Sequence, residues 1–144
     1  MVQCEKSVNE SKETEVIVWI ASFPRSGNTF LRIALHRYFG IRTSVVYDFD
    51  GVAERLGSEF IGFQDRLACY DEMRGSSEVY FIKTHRQRDD QILAGDKAIC
   101  LVRDGRDALV SWARQRSESA PRTFEAHLRE MISTRAERGT GGWG

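Results

Sequence analysis

The segment "YFIKTHR" contains two side chains suited to proton transfer, because Lys83 and His85 stand two residues apart at the end of an apolar stretch. If that stretch is a strand, its alternation places both side chains on the same face. A histidine can remove a proton from a hydroxyl near neutral pH, and a nearby lysine can stabilise the negative charge that develops. A lone histidine is more often a surface residue, and we expect that of His36 and His127, which lie on helical patterns.

A second candidate is the stretch "SFPRSGNTF", which follows an apolar run and leads into a helical pattern. It matches the nucleotide loop G-x-x-x-x-G-K-[ST] only in part: Ser22 stands at the first glycine, Gly27 at the second and Thr29 at the last position. Asn28 replaces the lysine, while Arg25 supplies a cation that never deprotonates. The stretch is therefore either an anion-binding turn between a strand and a helix or only a tight connection.

The third candidate is "AICLVRDGRDALVSWAR", where Arg103 ends a predicted strand and Ser111 follows eight residues later inside a predicted helix. An arginine and a hydroxyl on two elements can hold one phosphate between them. Asp104 could hold magnesium, as the aspartate after an apolar strand does in some nucleotide enzymes. Its position just before a helix makes a helix cap the better interpretation.

Apolar periodicity predicts the elements that position these residues. Short apolar runs rich in β-branched residues indicate strands buried in a parallel sheet, and spacing of three to four residues indicates helices. The predicted strands are 15–23, 78–83 and 97–102, with 41–49 a further possible strand; the predicted helices are 29–40, one from Asp104 and 121–138; 52–74 is ambiguous and 84–96 is a polar loop with a turn or two of helix. This order predicts an α/β fold, a P-loop-like three-layer α/β/α arrangement around a central parallel sheet.

Composition excludes several classes of protein. Lys and Arg total 21, as do Asp and Glu, so no basic field favours a nucleic acid or an anionic membrane. No apolar run approaches the roughly 20 residues of a membrane span. Cys4, Cys69 and Cys100 show no metal-ligand spacing, so we expect neither a zinc site nor a disulfide framework. Residues 1–14 are polar, are expected to form a flexible tail and lack a signal-peptide core, which together favour the cytoplasm.

In this order and spacing, "SFPRSGNTFLR", "FIKTH" and "LVRDGRDALVS" resemble the sulfotransferases that use 3'-phosphoadenosine 5'-phosphosulfate (PAPS), of the cytosolic type. The resemblance implies that the first segment holds the 5'-phosphosulfate, the second supplies the catalytic base and the third holds the 3'-phosphate. It implies transfer of a sulfuryl group, without a metal, to a small-molecule or glycan acceptor with a hydroxyl or amine. The implied catalytic residues are His85, Lys83 and Arg25; the implied donor-binding residues are Arg25, Ser26, Gly27, Asn28, Thr29, Phe30, Arg103 and Ser111.

The chain departs from this family at its C-terminal end. Members continue beyond a G-x-W stretch, here "GGWG", into an Arg-Lys-Gly loop that completes the 3'-phosphate site. We therefore expect residues 15–144 to be the N-terminal part of a sulfotransferase domain, with the sheet incomplete. One alternative is an inactive remnant that only binds nucleotide. A P-loop nucleotide kinase is a weaker alternative, because Asn28 stands where the lysine should be.

Overall fold

The computed structural model describes residues 16–67, 69–119 and 121–133. The elements in chain order are β1 (Ile17–Ser22), α1 (Asn28–Phe39), β2 (Thr43–Val45), α2 (Gly51–Leu56), α3 (Ser58–Ile61), α4 (Tyr70–Arg74), β3 (Tyr80–Thr84), β4 (Lys97–Leu101), α5 (Gly105–Ser119) and α6 (Phe124–Ser133). The predicted tail, the "GGWG" stretch and the end of the predicted helix 121–138 lie outside the described residues.

The four strands form one all-parallel sheet in the order β2-β3-β1-β4. Strand β1 is interior, with Ile20 in register with Lys83 of β3 and with Ile99 of β4. Burial on both faces explains why the β1 sequence is almost continuously apolar. The predicted α/β class with a central parallel sheet is thus confirmed. The carboxyl ends of β1, β3 and β4 meet at one edge, where parallel α/β folds bind their ligands.

The hydrophobic core cluster is formed by side chains of β1 and β3 together with one from helix α4. It comprises Ile17, Trp19, Met73, Tyr80 and Ile82. The Trp19 indole N–H donates to Asp96 at 2.9 Å, and Asp96 also pairs with Arg74 at 2.7 Å. This polar contact joins α4 and β1 to the turn before β4.

Element boundaries agree with the prediction at the end of α1 and differ from it in the middle of the chain. Helix α1 ends at Gly40, which has a φ of 67° and is the predicted stop. Strand β2 covers three residues, fewer than the nine of the stretch 41–49. The ambiguous stretch 52–74 becomes three short helices, and the loop 84–96 contains turns but no helix.

The two additional histidines are not both on the surface. His127 is 2% exposed because α6 packs against α5, so its predicted surface position is wrong. The His36 ring lies against the backbone of Gly62, just after α3. These residues hold helices together, and neither lies beside the candidate site.

We expect Gly62→Ala to lower the free energy of unfolding by about 2–4 kcal/mol. Gly62 has a φ of 66°, and a Cβ there would lie 2.6 Å from His36 Cβ, inside van der Waals contact. Urea unfolding followed by circular dichroism measures the effect. Gly95→Ala is the matched control, because its added Cβ meets no atom within 4 Å. Equal stability of the two variants would contradict the expected overlap.

Candidate functional site

The turn between β1 and α1 exposes the start of α1. Arg25 has a φ of 68° and Gly27 a φ of 98°, so the chain reverses within residues 23–27. Four successive backbone N–H groups make no hydrogen bond within the described part of the chain: those of Gly27, Asn28, Thr29 and Phe30. A helix start with free N–H groups attracts anions, because both the donors and the helix dipole favour negative charge.

The Asn28 side chain points away from this surface. Its Nδ2 donates to the Ile20 carbonyl at 3.3 Å and to Ser22 Oγ at 3.1 Å, and the residue is buried. Asn28 therefore fixes the turn to β1 and presents only its backbone N–H to the outside. Phe30, by contrast, is 78% exposed beside the turn.

His85 follows β3 and is bonded to the end of β1. Its Nδ1 lies 2.7 Å from the Ser22 carbonyl oxygen, which can only accept, so Nδ1 carries the proton. The lone pair of Nε2 is then left to accept a proton. Burial, together with the positive charge of Lys83, lowers the pKa of His85 to about 4. The imidazole is therefore neutral near pH 7, in the tautomer that a general base requires.

Lys83 is a buried cation that forms no close ion pair in the described residues, although the Asp50 carboxylate attracts it at longer range. It is 9% exposed, and burial lowers the pKa of its ammonium. The charge lies 5.6 Å from the centre of the Tyr47 ring and lines a cavity of about 440 Å³. The cavity wall also includes Phe49 and Arg55 from the α2 side and Gln115 from α5. This volume is sufficient for part of a small ligand beside the cation.

The segment that contains Arg103 and Ser111 contacts the other side of the turn 23–27. Arg25 Nε donates to Ser111 Oγ at 3.1 Å, and Arg103 Nη1 donates to the Arg25 carbonyl at 3.0 Å. The ring edge of Phe23 packs on Trp112 of α5, with centroids 5.6 Å apart. Neither guanidinium has a carboxylate partner within the described ranges. The structure thus brings the predicted arginine and serine together with the predicted loop.

Asp104 is a helix cap. Its carboxylate accepts from the Arg106 backbone N–H at 2.9 Å and contacts the Arg106 guanidinium at 2.7 Å. These bonds from Arg106 lower the pKa of Asp104 to about 2. The cap interpretation is confirmed. In the described ranges no group of three or more His, Cys, Asp or Glu residues is placed to hold a metal ion.

Three residues at the site were assigned no role from the sequence. Tyr47 lies between the cations Lys83 and Arg86, and its hydroxyl accepts from the His85 backbone N–H at 3.0 Å. Arg32 and Asp50 form a buried ion pair of 2.6 Å behind Lys83. Asp50 also caps α2 by accepting from the Val52 N–H at 3.1 Å. A capping aspartate could have been suspected from "DFDGVAERL", but its buried partner could not.

Two findings concern the expected compartment. Cys69 is disulfide-bonded, although no disulfide framework was expected, whereas Cys100 is free and exposed. The expectation of a reducing compartment loses the support that it took from unpaired cysteines. Within the part of the chain that the structure describes, no helix has the length and apolar character needed to cross a membrane.

Comparison with known proteins gives a partial match. No protein-family model matches the chain. It is 35% identical over 92 residues to WSCD family member CG9164 of Drosophila melanogaster, and equally to WSCD family member GA21586 of Drosophila pseudoobscura pseudoobscura. Each match covers 64% of this chain and 25% of the relative. The chain therefore spans about a quarter of the length of the curated relatives that it matches.

Proposed function

We propose that this chain binds PAPS and transfers its sulfuryl group to a hydroxyl or amine acceptor. The observation that carries the proposal is that one turn, residues 23–27, joins both halves of the site. On one side the end of β1 is bonded to His85, and on the other Arg25 is bonded to Ser111 and Arg103. A donor with an anionic group at each end needs two anion-binding positions, and transfer to an acceptor needs a base beside one of them.

The described residues fit the charges of that donor. The free N–H groups at the start of α1 and the Lys83 ammonium suit the 5'-phosphosulfate. Arg103 and Ser111 suit the 3'-phosphate, which is absent from ATP. Because these cations have no carboxylate partners within the described residues, a bound anion displaces no existing ion pair.

The chemistry assigned to the chain is a single displacement at sulfur. As the acceptor oxygen or nitrogen bonds to sulfur, His85 Nε2 takes its proton. The bond between sulfur and the bridging oxygen breaks, and adenosine 3',5'-bisphosphate leaves with the electron pair. Lys83 and Arg25 stabilise the charge that grows on the bridging oxygen, an effect generally worth about 10²–10³ in rate. No step requires a metal ion.

We expect adenosine 3',5'-bisphosphate to bind at least about tenfold more tightly than Mg·ATP, because only the former places a phosphate between Arg103 and Ser111. Isothermal titration calorimetry with and without magnesium measures both affinities. Magnesium-dependent ATP binding that is equal or tighter would contradict the proposal and favour the kinase alternative.

Transfer itself is tested with PAPS labelled in the sulfuryl group and a panel of hydroxyl and amine acceptors. Product that carries the label supports the enzyme. Tight binding of the bisphosphate with no transfer to any acceptor would instead favour the alternative of a chain that only binds nucleotide.

A further inference from the structure

Tyr47 contacts Lys83, His85 and Arg86, which lie at or just after the end of β3. It follows β2, whose last residue Val45 is in register with Lys83. The His85 backbone N–H donates to its hydroxyl oxygen at 3.0 Å. Its ring lies 5.6 Å from the Lys83 ammonium and 5.4 Å from the Arg86 guanidinium.

We propose that Tyr47 is the positioning residue that holds His85 in its orientation as a base, an inference that rests on the proposed function. His85 is held at two points: its ring Nδ1 bonds to the Ser22 carbonyl, and its backbone N–H bonds to Tyr47. Two points define the direction of Nε2, whereas one leaves the residue free to rotate with the loop 85–96. Loss of the phenol oxygen also leaves the His85 N–H without its acceptor, which is unfavourable for a half-buried group.

The Tyr47 ring has a second effect, on the cations. An aromatic ring attracts Lys83 and Arg86 without neutralising them, unlike a carboxylate. Both charges therefore stay available for an anionic donor while their side chains are held in place. Tyr47 thus both orients the base and holds the positively charged side chains in place.

Tyr47→Phe separates the two effects, because it removes the oxygen and keeps the ring. We expect kcat to fall about tenfold, with the KM for PAPS and the affinity for adenosine 3',5'-bisphosphate unchanged. Tyr47→Leu also removes the ring and should weaken bisphosphate binding as well. Tyr38→Phe is the matched control, since Tyr38 is 82% exposed on α1 and makes no hydrogen bond in the described residues.

A titration of His85 by NMR provides a measurement that does not require turnover. The chain has three histidines, so His85→Asn assigns the signal. The charged groups that face His85 are Lys83, Arg32 and Asp50, and all of them remain in the variants. In Tyr47→Phe we expect the pKa of His85 to rise by about one pH unit, because a released imidazole is better hydrated.

The outcomes distinguish this inference from the proposed function. A rise in the pKa of His85, in a Tyr47→Phe protein whose melting temperature matches that of Tyr38→Phe, supports positioning by Tyr47. An unchanged pKa in that folded variant overturns it. If the unmodified chain transfers no sulfuryl group to any acceptor, the proposed function fails, but the titration still decides whether Tyr47 orients the imidazole.

Discussion

Replacing His85 with alanine should lower the rate of sulfuryl transfer by about 10²–10⁴-fold and leave the affinity for adenosine 3',5'-bisphosphate nearly unchanged. The acceptor must lose a proton as it bonds to sulfur, and the free Nε2 of His85 is the proton acceptor that the site presents. The other anion-binding positions remain in the variant: the start of α1, Arg103 and Ser111 lie on other elements, and Lys83 of β3 is unchanged. The variant should therefore separate chemistry from binding.

Single-turnover transfer from labelled PAPS measures the chemistry, and calorimetry measures the binding. His85→Asn is the informative partner variant, because an asparagine amide can donate to the Ser22 carbonyl but cannot act as a base. It should be as slow as the alanine variant while keeping more of the fold's stability. A rate within threefold of the unmodified protein in either variant would remove His85 from this role.

The charge state of His85 should respond to the donor product. Burial and Lys83 disfavour the imidazolium, which lowers the pKa of His85 to about 4 in the free protein. A bound anion favours the imidazolium, so adenosine 3',5'-bisphosphate should raise that pKa toward 6.5. The same NMR titration measures it. A pKa that falls or stays at its free value would place the anion away from His85.

The parts of the fold that could be predicted depend on local signals. The β1 sequence is almost continuously apolar because both of its faces are buried, and Gly40 ends α1 because a left-handed residue is needed there. Asp104 was identified as a cap from its position before a helix, and its bond to the Arg106 N–H follows from that position. Each of these signals comes from a few neighbouring residues.

The parts that could not be predicted depend on contacts across the sheet edge. Tyr47 has no motif of its own, and its importance comes from β2 lying beside β3. The partnership of Arg32 with Asp50 joins α1 to the cap of α2, and no spacing rule relates the two positions. Asn28 occupies a motif position, yet its side chain turns inward because Ile20 and Ser22 offer acceptors there.

Several arginines and lysines of the chain fall into two groups, according to whether they contact a carboxylate. Arg32, Arg74 and Arg106 each contact a carboxylate at 2.6–2.7 Å and stabilise the structure. A second group of cations lies at the carboxyl edge of the sheet without carboxylate partners among the described residues: Arg25, Lys83 and Arg103. A formal net charge of zero conceals this local excess. The unpaired group is the one expected to bind anions.

Arg103→Ala should therefore lower the affinity for adenosine 3',5'-bisphosphate by about 10- to 100-fold while changing the affinity for AMP by less than about threefold. The two ligands differ only in the 3'-phosphate, so the ratio of their losses isolates contacts to that group. Ser111→Ala should act in the same direction with a smaller effect, because it removes a neutral donor. Calorimetry of both ligands with the unmodified protein and with each of the two variants gives the ratios.

Arg106→Ala is the matched control for this prediction. It removes an arginine three residues away that is fully occupied by Asp104, so both ligands should keep their affinities within about twofold. The Arg103 guanidinium also bonds to the Arg25 carbonyl, and general loosening of the turn would weaken AMP and the bisphosphate alike. Equal losses for the two ligands in Arg103→Ala would therefore refute a 3'-phosphate site there, whereas a selective loss absent from Arg106→Ala would establish that Arg103 recognises the 3'-phosphate.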